Sequence, residues 1–164
     1  MQAVGFLLGL WLAFALSPLV VKAVAAGDSS EFAALEADLL ARVNQFRSEH
    51  HLITLVRRTD LDRVALAHSL DMAQRGYFSH ESPEGQNPLD RLQAYGVSDM
   101  VLAAENLGKT TQSDPSARIV DSWVRSPAHR ANLLAPALNF TGIGVARDSD
   151  GSLIVTQVYI LVPR

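Results

Sequence analysis

The chain has no cysteine among its 164 residues. That excludes a disulfide framework, and an exported protein without one suits a bacterium better than the small secreted domains of animals. It also has no basic cluster. Its 14 Lys and Arg, nearly all Arg, are scattered among 17 Asp and Glu for a formal net charge of −3, which argues against a nucleic-acid surface. No repeat, low-complexity tract or internal linker interrupts it. No apolar run reaches the ~20 residues a membrane span usually needs. The nearest, Val4 to Leu16 within MQAVGFLLGLWLAFALSPLVVKAVAAGDSS, has no Lys or Arg before it.

What is present at that end reads as an export signal: an apolar core, a breaker at Pro18, and small residues from Ala23 to Gly27 that suit a signal peptidase. The expected division is a signal peptide over residues 1–26, cut near Ala25 or Ala26, and a single domain over residues 27–164. The missing basic residues leave an uncleaved membrane anchor as the alternative, the only case in which a membrane is a partner. The expected location is secreted or periplasmic. About 138 residues remain after the signal, the size of one domain with a proper core, expected to be a monomer.

Periodicity gives alternating helices and strands. Phe32, Leu35, Leu39, Val43 and Phe46 recur at helical spacing between Glu31 and His50, with Asp28 and Glu31 as a capping pair. A second helix starts at Thr59, carries Leu61, Val64, Ala65, His68 and Met72 on one face, and stops at Gly76. LITLVRR between them reads as a short strand. Asn87 caps a third helix from Pro88 to Tyr95, and Asp114-Pro115 opens a fourth that buries Ile119, Val120 and Trp123. Ser126 and Pro127 look like the cap and first residue of a fifth, which puts His129 in its first turn. VLAAENL is a strand, and FTGIGVAR and SLIVTQVYIL flank DSDG as a hairpin. The expectation is an α+β fold, a three-layer α-β-α sandwich on a small antiparallel sheet.

FSHESPEG, PLDR, AEN, SWVRSPAHRANLL, FTGIGV and the TQ of IVTQVYI resemble, in order and spacing, the bacterial branch of the CAP superfamily, or SCP domain. The resemblance covers about residues 36 to 160, and its implied fold is an α-β-α sandwich. It also implies a cavity lined by two His and two Glu. His80 of FSH matches the first family histidine and Glu105 of AEN the first glutamate. The other two positions depart from the animal pattern, falling on Ile154 and on Arg125 and Ser126. Bacterial members carry instead the histidine of the SPAHR segment, which is His129 here. Arg91 and Arg130 are expected to brace the cleft through backbone carbonyls or Glu105, and Asn106 to hold a loop or touch a ligand.

His80, Glu105 and His129 are chemically open to two readings. Two imidazoles and a carboxylate can ligate a divalent metal, zinc first, or they can form a hydrogen-bonded cluster that stiffens the sandwich with no metal. His68, on an apolar helix face, reads as a core or boundary residue. Ser82 and Ser126 sit in turn and cap sequences, and no oxyanion-hole motif accompanies them. The favoured function is a secreted binding or scaffold module, its ligand a lipid, a cell-wall fragment or a peptide. The alternative is a metal-assisted hydrolase with Glu105 as base; the missing second glutamate argues against it, because a glutamate serving as a ligand is not free to move a proton.

Overall fold

The computed structural model describes residues 26–163, so the export-signal reading lies outside the described residues except at Ala26. Helix α1 runs Ala26–Glu49, followed by β1 Val56–Arg57, α2 Thr59–Arg75, α3 Pro88–Ala94, β2 Leu102–Thr110, α4 Pro115–Arg125, α5 Pro127–Leu133, β3 Phe140–Arg147 and β4 Leu153–Leu161. Among the described residues no helix is long and apolar enough to cross a membrane.

Helix α1 begins earlier than its sequence signal, and Asp28 lies inside its first turns instead of capping it. Strand β1 shrinks to two residues because Asn44 takes the place of a neighbouring strand: its side-chain amide donates to the Leu55 carbonyl (3.1 Å) and accepts from the Leu55 N–H (2.8 Å). The caps of α3 follow the sequence closely. Asn87 accepts from Leu89 and Asp90 N–H groups, and Asp90 returns the bond to the Asn87 N–H, a complete capping box.

The sheet order is β1-β3-β4-β2. β3 with β4 and β4 with β2 pair antiparallel, while the short β1 runs parallel to β3. Helices α2 and α3 cover one face; α1, α4 and α5 cover the other. The major core lies under the second group, where Leu39, Val43, Trp123 and Tyr159 pack together. The opposite face holds Leu61, Val64, Leu92, Val158 and Ile160. Helix α2 lies almost on the backbone of β3. A Cβ built on Gly142 would meet the Leu61 carbonyl carbon at 2.1 Å, and one on Gly144 the Leu66 nitrogen at 2.1 Å. The GIG of FTGIGV is therefore the seat of a helix.

Arg47 ties the second layer together. It is fully buried, has no counter-charge in contact among the described residues, and fans its guanidinium over the carbonyls of Ile53 (2.9 Å), Leu133 (2.8 Å), Ala135 (3.1 Å) and Leu138 (3.2 Å). Burial pulls its pKa below the ordinary arginine value, yet the fork geometry matches diverging acceptors well enough to hold the charge.

Candidate functional site

Strand β2 is an edge of the sheet, and its outer carbonyls are not left bare. Asn132 of α5 donates to the Glu105 carbonyl (3.1 Å) and Trp123 of α4 to that of Leu107 (2.7 Å). Side chains alternate across the strand, so Glu105 points into the α2/α3 layer and Asn106 into the α4/α5 layer. The candidate site forms where the two layers meet around this edge.

Glu105 is its centre. The side chain is 1% exposed, and both carboxylate oxygens are taken: one accepts from His80 Nδ1–H at 2.8 Å, the other from an Arg91 guanidinium nitrogen at 2.8 Å. Arg91, on α3 and itself buried, also donates to the carbonyls of His80 (3.0 Å) and Gln86 (2.9 Å), fixing the loop that carries His80. With Nδ1 held by Glu105, the nitrogen left free is Nε2, on a side chain that is half exposed. His129 approaches from α5, its ring centroid 6.4 Å from that of His80. Burial, and secondarily the nearby His80, lowers its pKa.

Asn106 is buried and serves α5. It donates to the His129 carbonyl (3.2 Å) and to the Tyr159 hydroxyl (3.1 Å), and accepts from Asn132 (2.8 Å). Tyr159 in turn donates to Gln157 (2.8 Å), and Gln157 to Thr141 (3.1 Å). A buried polar line thus runs across the sheet from the TQ segment to the backbone of His129. Such networks rigidify when every member is satisfied.

The structure brings His80, Glu105, His129, Arg91 and Asn106 together. Arg130 is the exception. It reaches across to α1, its guanidinium 5.8 Å over the Phe46 ring and 3.4 Å from His50 Nε2, because the first turn of α5 turns successive side chains to different sides. Two residues join the group without having been singled out for it. Asn132, in the same SPAHRANLL stretch, offered only an amide in a helix. His68 reads as core from its spacing and is indeed buried, but it lies directly under the site, with Nε2 donating to the Ser79 carbonyl (3.0 Å) and standing 3.9 Å from Glu105. Burial lowers its pKa, outweighing the opposing pull of Glu105, so the ring is neutral and the 3.9 Å approach is not an ion pair.

Each Glu105 oxygen carries one hydrogen bond, from His80 and from Arg91, and among the described residues no group of three His, Cys, Asp or Glu side chains is placed to hold an ion.

The pattern described as the cysteine-rich secretory protein family, CAP, matches residues 40–159. The chain is 37% identical over 131 residues to the uncharacterized protein YkwD of Bacillus subtilis (strain 168), covering 80% of this chain and 49% of that protein. It is 35% identical over 112 residues to the uncharacterized membrane protein YlbC of the same organism, covering 68% and 32%. It thus spans about half of one relative and a third of the other. Among solved structures, an extracellular protein containing an SCP domain from Bacillus anthracis superposes with a TM-score of 0.74 at 29% identity, covering 84% of this chain and 44% of that one. An outer surface protein from Borrelia burgdorferi shares the fold at 0.72 and 19% identity, over 79% and 94%.

Proposed function

The chain belongs to the cysteine-rich secretory protein (CAP) family, and from that premise we propose that it is an exported binding module whose cleft presents His80 and His129 above Glu105 to a small polar ligand. The observation that carries this reading is the commitment of both Glu105 oxygens, to Arg91 and to His80 at 2.8 Å each. A carboxylate so held fixes an imidazole, and its oxygens are turned to His80 and Arg91 instead of to a water, which weighs against the hydrolase. His80 Nε2 is then the accessible hydrogen-bonding atom, steadied from below. The charged floor favours a cell-wall fragment or a peptide over the body of a lipid.

Cosedimentation with purified bacterial cell-wall sacculi, and with phosphatidylglycerol vesicles for comparison, tests the reading. Binding to sacculi that is lost in a His80→Ala, His129→Ala double variant, with no soluble fragments released, supports it; fragment release that depends on Glu105 would establish the hydrolase instead. A metal-dependent form of the function would rest on the two imidazoles alone, and zinc titration beside His80→Ala tests that. Export with cleavage near Ala25 or Ala26 belongs to the same proposal, and the intact mass of protein recovered from the exporting host decides it.

A further inference from the structure

Basic residues that lie scattered along the sequence are gathered by the fold at one place. Among the described residues, six arginines pair with a carboxylate, Arg47 bonds carbonyls and Arg130 lies over the Phe46 ring. Arg63, Arg118 and Arg125 have no such partner. Two of those three, Arg118 and Arg125, line a single cavity of about 230 Å³ between α4 and the end of β2, together with Lys109, Thr110, Gln112 and Ser122. Both arginines are exposed, so a ligand can reach them.

Arg118, Ser122 and Arg125 stand at i, i+4 and i+7, one stripe along α4. The two arginines therefore border the cavity from either side of Ser122, two helical turns and about 10 Å apart along the axis. The facing wall is the end of β2. There Lys109 is held by Asp148 (2.6 Å) and Asp150 (3.4 Å), which offset its charge, whereas the two guanidinium groups on α4 keep theirs. Among the described residues no Asp or Glu lines the cavity, although the chain as a whole carries a net charge of −3. The neutral lining adds donors. Thr110 Oγ1 accepts from the Gln112 N–H (3.1 Å), which leaves its hydroxyl hydrogen for another partner. Ser122 gives its own hydrogen to the Ile119 carbonyl (2.7 Å).

An anion is what this lining lacks, and geometry selects the kind. The two oxygens of a carboxylate lie in one plane and are filled by one guanidinium fork, while a tetrahedral phosphate directs oxygens to several sides and can accept from two forks and a hydroxyl at once. The cavity exceeds the ~150 Å³ of one known to hold a benzene ring, so a phosphate fits with its ester arm. We propose that α4 and the end of β2 form a binding site for a phosphate ester, its oxygens shared between Arg118, Arg125 and the Thr110 hydroxyl. The site uses none of the side chains of the His80–His129 cleft and goes beyond the reading of that cleft. A soluble phosphorylated compound and the headgroup of an anionic lipid share this chemistry.

The test is a titration of the isotope-labelled chain with glycerol phosphate, acetate and glycerol, following the Nε–Hε resonances of the arginines, beside flotation with phosphatidylglycerol vesicles. The expected result is a shift of Arg118 and Arg125 with glycerol phosphate, a much weaker one with acetate and none with glycerol. Affinity for glycerol phosphate should fall about tenfold or more in Arg118→Ala and in Arg125→Ala. Arg125→Lys, which keeps the charge without the fork, should recover only part of it. Affinity should stay unchanged in Arg63→Ala, which removes the same charge from α2, and in the His80→Ala, His129→Ala double variant, so failure here and failure of the cleft reading are told apart. Flotation with the vesicles that is lost in Arg118→Ala identifies a lipid headgroup as the source, and no flotation a soluble ester. No shift of the two arginines with glycerol phosphate, equal binding of acetate, or a loss in Arg63→Ala as large as in Arg118→Ala would overturn the proposal.

Discussion

Glu105 meets three claims on two oxygens: Arg91, His80 and, more distantly, His68. Removing it strands a buried guanidinium, so Glu105→Ala is expected to lower unfolding stability by about 3 kcal/mol or more. Glu105→Gln keeps an acceptor oxygen for one partner and should cost clearly less; urea melts of the two variants compare them. The histidines set a pH dependence with a definite sign. His68 faces Glu105, Arg91 and Asp71, and His129 faces His80; both are held below the ordinary imidazole pKa, mainly by burial. The unfolded chain therefore takes up protons first. Stability is complete above about pH 6.5 and declines as pH falls from there toward the lower folded values. The urea midpoint should drop between about pH 7.5 and pH 5, with a smaller drop in His68→Gln, whose side chain does not titrate.

Helices in this protein are held by contacts that their own sequences do not announce. Arg47 bridges the end of α1 to the end of α5 and the α5–β3 connection through three carbonyls, and to the α1–β1 loop through that of Ile53. Arg47→Met is expected to cost at least about 3 kcal/mol in denaturant melts, since those carbonyls lose their donors, and Arg47→Lys should recover only part of it because an ammonium cannot fan over them. Gly144→Ala should be as damaging, for its Cβ would enter the α2 backbone. In the hairpin, Gly151 at φ 83° makes Gly151→Val costly by about 1 kcal/mol or more; an unchanged melting temperature in any of these would contradict the packing described. Local signals made most elements legible. The Asn87 box, Asp114-Pro115 and the DSDG turn each write their geometry into neighbouring residues. The shortness of β1 was not legible, because Asn44 reaches eleven residues along the chain to replace strand pairing. The site divides the same way. Motifs point to His80, Glu105 and His129, which the fold brings together, whereas Arg130 turns to Phe46, because its side of a short helix depends on packing. His68 reads as core because it is buried on an apolar helix face, and its place beneath Glu105 comes from the fold and not from its spacing.

At the scale of the whole molecule, the two outer strands come from the first two thirds of the chain and the two inner ones from its end. β1 pairs with β3 and β2 with β4, never with each other. A chain cut after Asn139 should therefore show no native sheet and no cooperative melt, which circular dichroism and calorimetry would read directly; a cooperative transition in that fragment would mean that the helices hold a core without the hairpin. The arrangement also dictates a timetable. During synthesis at about 5–20 residues per second, no native strand pair can close until residue 140 has emerged, and none that involves β4 until residues 153–161 follow, so the sheet stays open for most of the chain's time on the ribosome. A polypeptide that postpones its sheet to the last moment remains a thread, and a thread is what a narrow translocation channel accepts.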